Sequence, residues 1–485
     1  MNGKPVFPIP PTQRCLTAAA LSLAVVLSAA AASAADSVPW AEKAIQKHVD
    51  FTELEGTLSA ERLKALIAEG EHLFTARFTS QDGLGRPEAT QAIIPTKRRR
   101  PSDVAFRRTA GMDGNNCQSC HNVPVVGGAA DFTANAFISE GFESTEFDSL
   151  DPQFSNERGS VSLFGAGLVD LLGREMTKEL RAERDKAVAA ARRSGAPQTV
   201  ALSTKGVDFG SLTVQPDGRV DFSDLDGIDS DLTIRPFSQK GVFASLRQFV
   251  VNAGNIHLGL QASERYGKRW TGTADFDGDD HADELSPGDV SAVVAFQASL
   301  PAPGRLVPDD PAWKTAAAHG EEVFGNLGCT ACHKPFLPLD SLNFVDPAPY
   351  DTAGTLRTGE VEKPAVYDLG LLEWAKTLPR NDRGQILVPL FGDLKRHRIA
   401  DAEVSHLGNE LLAQRFVERD VFITAELWGA GSTAPYGHRN DLTTLDEIIR
   451  AHGGEARPVR DAYIAASDED RSALIAFLKT LVIAP

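Results

Sequence analysis

The chain has 485 residues, of which 42% are hydrophobic, and a formal net charge of −17. This length provides two or three domains with ordinary cores, and the composition excludes a disordered chain. The negative charge argues against a nucleic-acid-binding protein, because the phosphates would repel it. One basic run, residues 96–108, departs from this trend. We expect a solvated loop there, and a docking patch for an acidic electron donor is the alternative.

Residues 1–35 have the features of a secretory signal peptide. Lys4 and Arg14 precede an Ala-rich apolar stretch, which ends in the small residues Ser33, Ala34 and Ala35. A basic start, an apolar segment and a small-residue cleavage site predict export through a cleaved leader. A membrane anchor is the less favoured alternative, because the apolar stretch is short for a bilayer span. We therefore expect a periplasmic protein without a membrane span in its mature chain.

The cysteines give the most specific signal in the sequence. Of the five, Cys15 lies in the predicted leader, and the other four form two Cys-x-x-Cys-His motifs. The first motif is Cys117, Cys120 and His121, and the second is Cys329, Cys332 and His333. This spacing is typical of c-type haem attachment, in which the histidine becomes the proximal iron ligand. A four-cysteine zinc site and a redox dithiol are the alternatives, but neither explains the histidines.

Sequence repeats surround both motifs. Residues 286–300 and 467–481 share the frame S-x-x-D-x-S-A-h-h-A-F-x-x-[ST]-L, in which a serine N-cap is followed three residues later by an aspartate. Residues 68–74 (AEGEHLF) and 318–324 (AHGEEVF) form a second matching pair ahead of the motifs. Each half therefore predicts an opening helix, the haem motif and a closing amphipathic helix.

This order of elements predicts a mainly α fold of two fused cytochrome c-like domains, each with one covalently bound haem. The boundary falls in a Pro-rich stretch, so that residues 36–303 form the N-terminal domain and residues 304–485 the C-terminal one. The N-terminal domain carries insertions. Among them we expect a charged, solvent-facing helix over residues 173–195 and a small β hairpin over residues 198–222.

Several segments resemble the bacterial di-haem cytochrome c peroxidase superfamily, and most closely its peroxidase-like di-haem oxidoreductase branch. They are GEHLFTARFTSQDGLG, CQSCHNVPVVGG, SLFGAGLVDLL, DSDLTIRPFSQKGVFASLRQFVVNAG and TAELWGAGSTAPYGHRNDLTTLDEIIRAHGGEA. The last segment departs from the PYxHDGR form of the family, since Arg439 and Asn440 replace Asp-Gly. The resemblance implies an all-α fold in which one haem reacts with an oxidant and the other relays electrons.

The resemblance also implies which residues act at the two haems. His438, in the family's motif, is expected to be the distal ligand of the second haem, which makes that haem the electron-transfer site. The first haem is then the open, reactive one, and His257 is less favoured as its ligand than as a helix-packing histidine. Glu175 lies where peroxidase relatives keep the acid–base group that peroxide cleavage needs, with a surface glutamate as an equal alternative. Trp270, Trp313 and Trp428 are candidates for an aromatic bridge.

An acidic loop supplies a candidate site for Ca²⁺. Its aspartates are Asp275, Asp277, Asp279 and Asp283, with a central glycine. Oxygen ligands at alternate positions suit calcium, although the loop has Ser286 where a calcium loop has its bidentate glutamate. We expect calcium here in preference to an acidic solvated turn, as a clip between the two haem domains.

Together these features predict an exported di-haem oxidoreductase of the peroxidase kind. Electrons would pass from a small redox protein, a cytochrome c or a cupredoxin, through the C-terminal haem to hydrogen peroxide at the N-terminal haem. An oxygenase related to the di-haem rubber oxygenases is one alternative, in which Phe237, Phe243 and Phe249 would line an apolar pocket. A plain electron carrier with two six-coordinate irons is the other.

Overall fold

The computed structural model describes residues 40–85, 114–137, 155–276, 278–410 and 414–483. The predicted leader and the basic run at 96–108 lie outside these residues. Chain contacts separate Met1–Glu42 from a second unit, Lys43–Pro485, which contains every element described below. Within the described ranges, we find no helix that is both long and apolar enough to cross a bilayer.

The helices are the longest elements and build most of the core. In chain order they are α1 Ala60–Thr75, α2 Ala166–Ser194, α3 Leu246–Ala253, α4 Ser263–Tyr266, α5 Lys268–Thr271, α6 Pro287–Ser299, α7 Pro311–Asn326, α8 Leu445–Arg450, α9 Arg457–Ala465 and α10 Asp468–Lys479. A π-helical turn, Gly254–Leu258, follows α3 directly. Short 3₁₀ turns, Cys117–Ser119 and Cys329–Ala331, carry cysteines of the two motifs.

The strands are short and form sheets of two or three strands. They are β1 Gly56–Thr57, β2 Thr133–Phe137, β3 Ser155–Gly159, β4 Gln198–Thr204, β5 Val207–Val214, β6 Val220–Asp221, β7 Gly304–Arg305, β8 Leu337–Leu339, β9 Asn343–Asp346, β10 Ala365–Asp368, β11 Ile386–Val388, β12 Arg396–Arg398, β13 Val421–Ile423 and β14 Leu481–Val482. The predicted hairpin is β4 and β5, extended by β6. The other small sheets were not predicted.

The two predicted helix pairs are present, and they cross in the same way. A Cβ atom built on Gly70 of α1 would lie 1.9 Å from the carbonyl oxygen of Ala292 in α6. A Cβ built on Gly320 of α7 would lie 1.9 Å from the carbonyl oxygen of Ala473 in α10. Glycine is therefore required at both crossings, because only a residue without a side chain lets the backbones approach this closely.

The closing helices begin as the sequence predicts, but one of them is buried more completely. Ser286 and Asp289 form a capping box at the start of α6, and the Ser467 hydroxyl accepts a hydrogen bond from the amide of Asp470 at the start of α10. α10 is amphipathic as predicted, whereas the amphipathic prediction for α6 is wrong. Nearly all of α6 is buried, because other elements pack around it on several sides.

The charged helix is also longer and less exposed than predicted. α2 begins seven residues before the predicted start at Gly173 and ends at Ser194. Its first two turns are buried on all sides, Asp170 included. The rest packs into the core through Met176, Leu180 and Ala191 and exposes charged residues such as Lys178 and Lys186. The main core cluster contains side chains from both sides of residue 303, such as Leu172 and Phe344. The division into two haem domains stays a prediction.

A buried network of charges joins the N-terminal helices to the sheet of β9 and β10. The guanidinium of Arg247, 1% exposed, donates to the carboxylates of Glu264 and Asp346. The carboxylate of Asp346 also accepts hydrogen bonds from the hydroxyls of Ser291 and Tyr367. Each buried charge is thus paired and hydrogen-bonded, which is the condition under which a protein interior tolerates it.

Asp351 is buried near this network with a single hydrogen-bond partner. Its Oδ2 accepts a hydrogen bond of 2.8 Å from the Ser245 hydroxyl, while its Oδ1 is buried without a partner. Desolvation raises the pKa of the Asp351 carboxyl from 3.8 to about 7. The folded protein therefore favours the protonated, neutral form of this side chain.

The glycine crossing predicts opposite effects for two substitutions in the same helix. Gly320→Ala should lower the free energy of unfolding by about 1–3 kcal/mol, because the new methyl group collides with backbone atoms of α10. Gly325→Ala is the matched control, since a Cβ there meets no atom within 4 Å. It should raise stability by up to ~1 kcal/mol through helix propensity. Urea unfolding of both variants measures this, and equal effects would contradict the close crossing.

Asp351 predicts a pH-dependent loss of stability. Between pH ~4 and ~7 the folded state holds a proton that the unfolded state has released, so stability falls as the pH rises through this window. Asp351→Asn cannot ionise and should flatten that slope, which makes the variant about 1–3 kcal/mol more stable than the wild type at pH 8. Unfolding curves at pH 5 and pH 8 test this. An unchanged slope would mean that the carboxyl finds solvent or a counter-ion in the folded protein.

Candidate haem sites

The first motif sits on a capped turn that begins at Cys117. The side chain of Asn116 accepts a hydrogen bond of 2.7 Å from the amide of Ser119, which closes the 3₁₀ turn. Cys117 and Cys120 are both half-buried, and neither is part of a disulfide. Burial raises the pKa of the Cys117 thiol to about 12, so this sulfur is protonated at neutral pH. Because neither sulfur is used in a disulfide, both cysteines could form a covalent attachment.

His121 is held in one tautomer by the backbone. Its Nδ1 donates a hydrogen bond of 3.1 Å to the carbonyl of Gly128, so that Nε2 keeps its lone pair. His121 is half-buried, and desolvation lowers its pKa to about 4. The imidazole is therefore neutral at neutral pH. Phe74 of α1 packs near the ring, with 6.2 Å between the centroids. A neutral, oriented imidazole is the form that binds a metal ion.

The second motif repeats this arrangement. The Nδ1 of His333 donates a hydrogen bond of 3.1 Å to the carbonyl of Phe391. Desolvation again lowers the pKa of the imidazole to about 4, and Phe324 of α7 lies 6.5 Å from the ring. Burial raises the pKa of the Cys329 thiol to about 11. The two motifs therefore agree in geometry as well as in sequence.

The donor set and its surroundings fit a haem better than zinc. Among the described residues, the cysteines of the two motifs do not come together in one group of metal-ligating side chains, so the geometry gives no support to the alternative of a four-cysteine zinc site. Apolar side chains near His121 are exposed, with Val125 at 37%, Val126 at 36% and Val161 at 49%. A haem, which is a large apolar ring, would cover such residues.

Each proximal candidate has a second histidine nearby. After desolvation, the charge of His452 is the next cause that lowers the pKa of His333. The charge of His257, in the π-helical turn, likewise contributes to the lowered pKa of His121. The Nδ1 of His452 donates a hydrogen bond of 2.7 Å to the carbonyl of Ile448, so its Nε2 also keeps a free lone pair. The sequence offers His452 only as an alternative to His438, together with His406, and His452 is far from the second motif along the chain.

His438 lies where the two halves of the chain meet. Its ring stacks on Phe422, with 3.4 Å between the centroids, and its carbonyl accepts a hydrogen bond of 2.8 Å from the amide of Gly159 in β3. Desolvation, followed by the charges of Arg158 and Lys240, lowers the pKa of His438 well below its usual value. The assignment of His438 as the distal ligand of the second haem stays a prediction, and His452 is a second candidate.

Glu175 is held by partners outside both motifs. Its carboxylate forms an ion pair of 2.7 Å with Lys205 and accepts hydrogen bonds from the amides of Asp340 and Ser341. These contacts connect α2 to the chain segment that follows β8. The predicted role of Glu175 as a distal acid–base group stays a prediction that no contact with the motifs supports.

The acidic loop does not gather ligands among its described residues. Asp277 lies outside the described residues. The carboxylate of Asp275 accepts hydrogen bonds from the amides of Gly278, Asp279 and Asp280, so the loop closes on itself. The carboxylates of Asp275, Asp279 and Asp283 do not form a group of three whose oxygens all lie within 4.8 Å of one another. Calcium binding stays a prediction.

The aromatic candidates differ in their surroundings. Phe243 packs edge-on against Phe249 and forms a β-bridge with Phe237, so the three predicted pocket residues lie in one apolar cluster. Trp428 is buried against Gly165, at the start of α2. Of the other bridge candidates, Trp270 is 44% exposed and Trp313 is half-buried in the first turn of α7. Of the three tryptophans, Trp428, in the C-terminal half, is the candidate seen to pack against the N-terminal half.

Comparison with known proteins adds little. Neither a protein-family model nor a curated protein sequence matches the chain. Among solved structures, hydrazine synthase of Kuenenia stuttgartiensis, pressurized with xenon, aligns with a TM-score of 0.34 and 11% identity over 90% of this chain and 95% of its own. A MauG-like protein associated with microbial copper homeostasis aligns at 0.28 and 15%, over 65% and 91%. Likeness this weak carries no argument, so the resemblance to the di-haem peroxidases rests on the sequence.

The geometry predicts different results for His452 and His438. His452→Ala should convert one low-spin haem to high-spin. His452 lies close enough to His333 for its charge to lower the pKa of that imidazole, and its Nε2 has a lone pair that could bind iron. His438→Ala is the matched comparison and should leave the low-spin signals intact if it does not bind iron. Electron paramagnetic resonance of the two oxidised variants measures this. Loss of a low-spin signal in His438→Ala alone would support the prediction made from the sequence.

Proposed function

We propose that the chain binds two c-type haems and acts as an exported di-haem oxidoreductase. Cys117 and Cys120 would hold the first haem, with His121 as its proximal ligand. Cys329 and Cys332 would hold the second, with His333 beneath its iron. A haem bound in this way supplies one-electron redox chemistry and, where its sixth position is free, a place for an oxidant.

The observation that supports this proposal is the repeated tautomer lock. In both motifs a backbone carbonyl accepts the Nδ1 proton of the histidine at 3.1 Å, and in both the imidazole stays neutral. His438 and His452 donate from Nδ1 to backbone carbonyls in the same way, so the support comes from the recurrence of this bond directly beside each Cys-x-x-Cys pair. The function of the bond is to aim Nε2 at a metal ion and to raise its basicity.

The chain's own residues divide the two sites. At the second site, the carbonyl of Ile448 accepts a hydrogen bond from Nδ1 of His452, and the charge of His452 lowers the pKa of His333. Two histidines so close together would both be able to bind the second iron, which favours an electron-relay role for that haem. At the first site, His257 sits in a π-helical turn, a local irregularity that is frequent at functional sites. We therefore propose that electrons enter at the second haem from a small redox protein and that hydrogen peroxide reacts at the first.

An electron carrier is the second candidate function, and one observation favours it. His257 lies close enough to His121 for its charge to contribute to the lowered pKa of that imidazole. If His257 bound the first iron permanently, both irons would be six-coordinate and neither would react with an oxidant. The two functions therefore differ in the accessibility of the first iron.

Carbon monoxide distinguishes the two functions. Mass spectrometry must first show two haem masses on the mature chain that acid–acetone does not extract. The reduced wild type should then bind about one carbon monoxide per chain, at the first haem, and should oxidise a reduced cytochrome c with hydrogen peroxide. His257→Ala should bind the same amount if that iron is already open.

Each other outcome selects an alternative. Carbon monoxide binding that appears only in His257→Ala would establish the carrier. Binding without peroxide turnover, but with consumption of O₂ in the presence of an unsaturated hydrocarbon, would favour the oxygenase. A chain at its haem-free mass would end the proposal altogether.

A further inference from the structure

His397 lies between two carboxylates beside the second motif. It belongs to β12 and is 8% exposed. Its Nε2 lies 3.0 Å from Oδ2 of Asp393, and its Nδ1 lies 2.7 Å from Oε2 of Glu455. The Sγ of Cys332 is 4.0 Å from the same Nδ1. The resemblance to di-haem peroxidases assigned no role to His397.

The two carboxylates belong to different chain segments. One segment orients the imidazole of His333, and the other contains His452. Asp393 follows Phe391 by two residues, and the carbonyl of Phe391 accepts the Nδ1 proton of His333. Glu455 follows His452 by three residues. One imidazole ring therefore connects the segment that orients the proximal histidine to the segment that carries the second histidine.

Backbone hydrogen bonds next to His397 hold the same segment. The amide of Arg398 donates a hydrogen bond of 2.8 Å to Oε1 of Glu455, and the amide of Gly453 donates one of 2.8 Å to the carbonyl of Ile399. The amide of Gly454 donates to Oδ2 of Asp401 at 2.7 Å. Residues 452–455 are thus docked along β12 and the residues that follow it.

The contact is ionic. Each ring nitrogen of His397 lies within hydrogen-bond distance of a carboxylate oxygen, and a carboxylate only accepts, so both nitrogens carry a proton. Desolvation lowers the pKa of His397, but the hydrogen bond to Asp393 and the charge of that carboxylate raise it by more. The imidazolium donates from both nitrogens, and charge-assisted hydrogen bonds of this kind are about twice as strong as neutral ones. Because both donors are in use, His397 is not itself a ligand candidate for iron.

We propose that His397 is a positioning residue, an imidazolium clamp that fixes the separation between His333 and His452. This inference rests on the proposed function, in which both histidines bind the second iron. Without the clamp, residues 452–455 would lose the side-chain connection to the segment that holds His333. His333 would then still be held in place to bind iron, whereas His452 would no longer be held beside it in part of the molecules.

The experiment uses the mature, haem-containing protein and two variants. His397→Gln removes the charge and one of the two donors, and Glu455→Gln removes only the outer carboxylate, which is half-exposed, so it is the milder change. The control is His319→Gln, which breaks another His–carboxylate pair, the 2.8 Å contact between His319 of α7 and Asp470 of α10. That pair touches neither residues 391–393 nor residues 452–455.

Two readouts other than activity are measured. Electron paramagnetic resonance gives the low-spin fraction of the second haem, and hydrogen exchange followed by mass spectrometry gives the protection of residues 452–456. Both His397→Gln and Glu455→Gln should show a new high-spin signal and about threefold to tenfold faster exchange in this segment, whereas His319→Gln should show neither.

The outcomes separate this inference from the proposed ligand. If His452→Ala loses its low-spin signal while both clamp variants keep it and keep their exchange rates, the clamp is overturned and the ligand stands. If His452→Ala keeps its low-spin signal, the ligand assignment fails. In that case, faster exchange without a spin change in the clamp variants would show a structural tie only, which also overturns the positioning role.

Discussion

The candidate sites depend on one hydrogen bond that occurs twice, from the Nδ1 of a motif histidine to a backbone carbonyl. An unrestrained imidazole exchanges tautomers and rotates, so that its lone pair has no fixed direction. A carbonyl acceptor prevents both, and the desolvated surroundings lower the pKa of each ring to about 4, so that it is neutral at neutral pH. Phe74 of α1 and Phe324 of α7 lie beside the two rings, and the glycine crossings pack these two helices closely against α6 and α10.

The two sites form the same hydrogen bond, but the sequence separation between donor and acceptor differs. At the first site the acceptor, Gly128, follows His121 by 7 residues, so a single tight loop builds it. At the second, the acceptor, Phe391, is 58 residues beyond His333. A long loop has more conformations to exclude, and closing it costs more conformational entropy. The second site accordingly has additional ties, of which the contacts of His397 with Asp393 and Glu455 are the most direct.

Much of the architecture could be predicted because it depends on short-range sequence patterns. Capping residues such as Ser286 mark the helix starts, alternation marks the β4–β5 hairpin, and the cysteine spacing marks the motifs. The partners of each site could not be predicted. The proximity of His452 to His333 and the burial of Arg247 against Asp346 depend on tertiary packing, which leaves no periodic trace. Glu175 illustrates the same limit. The sequence places a glutamate near the position of the acid–base group in peroxidase relatives, but it could not predict that the carboxylate pairs with Lys205.

The departure from the family's PYxHDGR form also has a physical explanation. Asn440 occupies the glycine position and has a φ of 54°, and asparagine is one of the few residues other than glycine that adopts this left-handed conformation readily. Its side-chain amide donates hydrogen bonds of 3.0 Å to the carbonyls of Ala130 and Phe132, in the loop that follows the first motif. Arg439, in place of aspartate, forms an ion pair with Glu157 of β3. The substitutions therefore keep the turn that contains His438 and add contacts to the loop after the first motif and to β3, so that the turn connects the two halves of the chain.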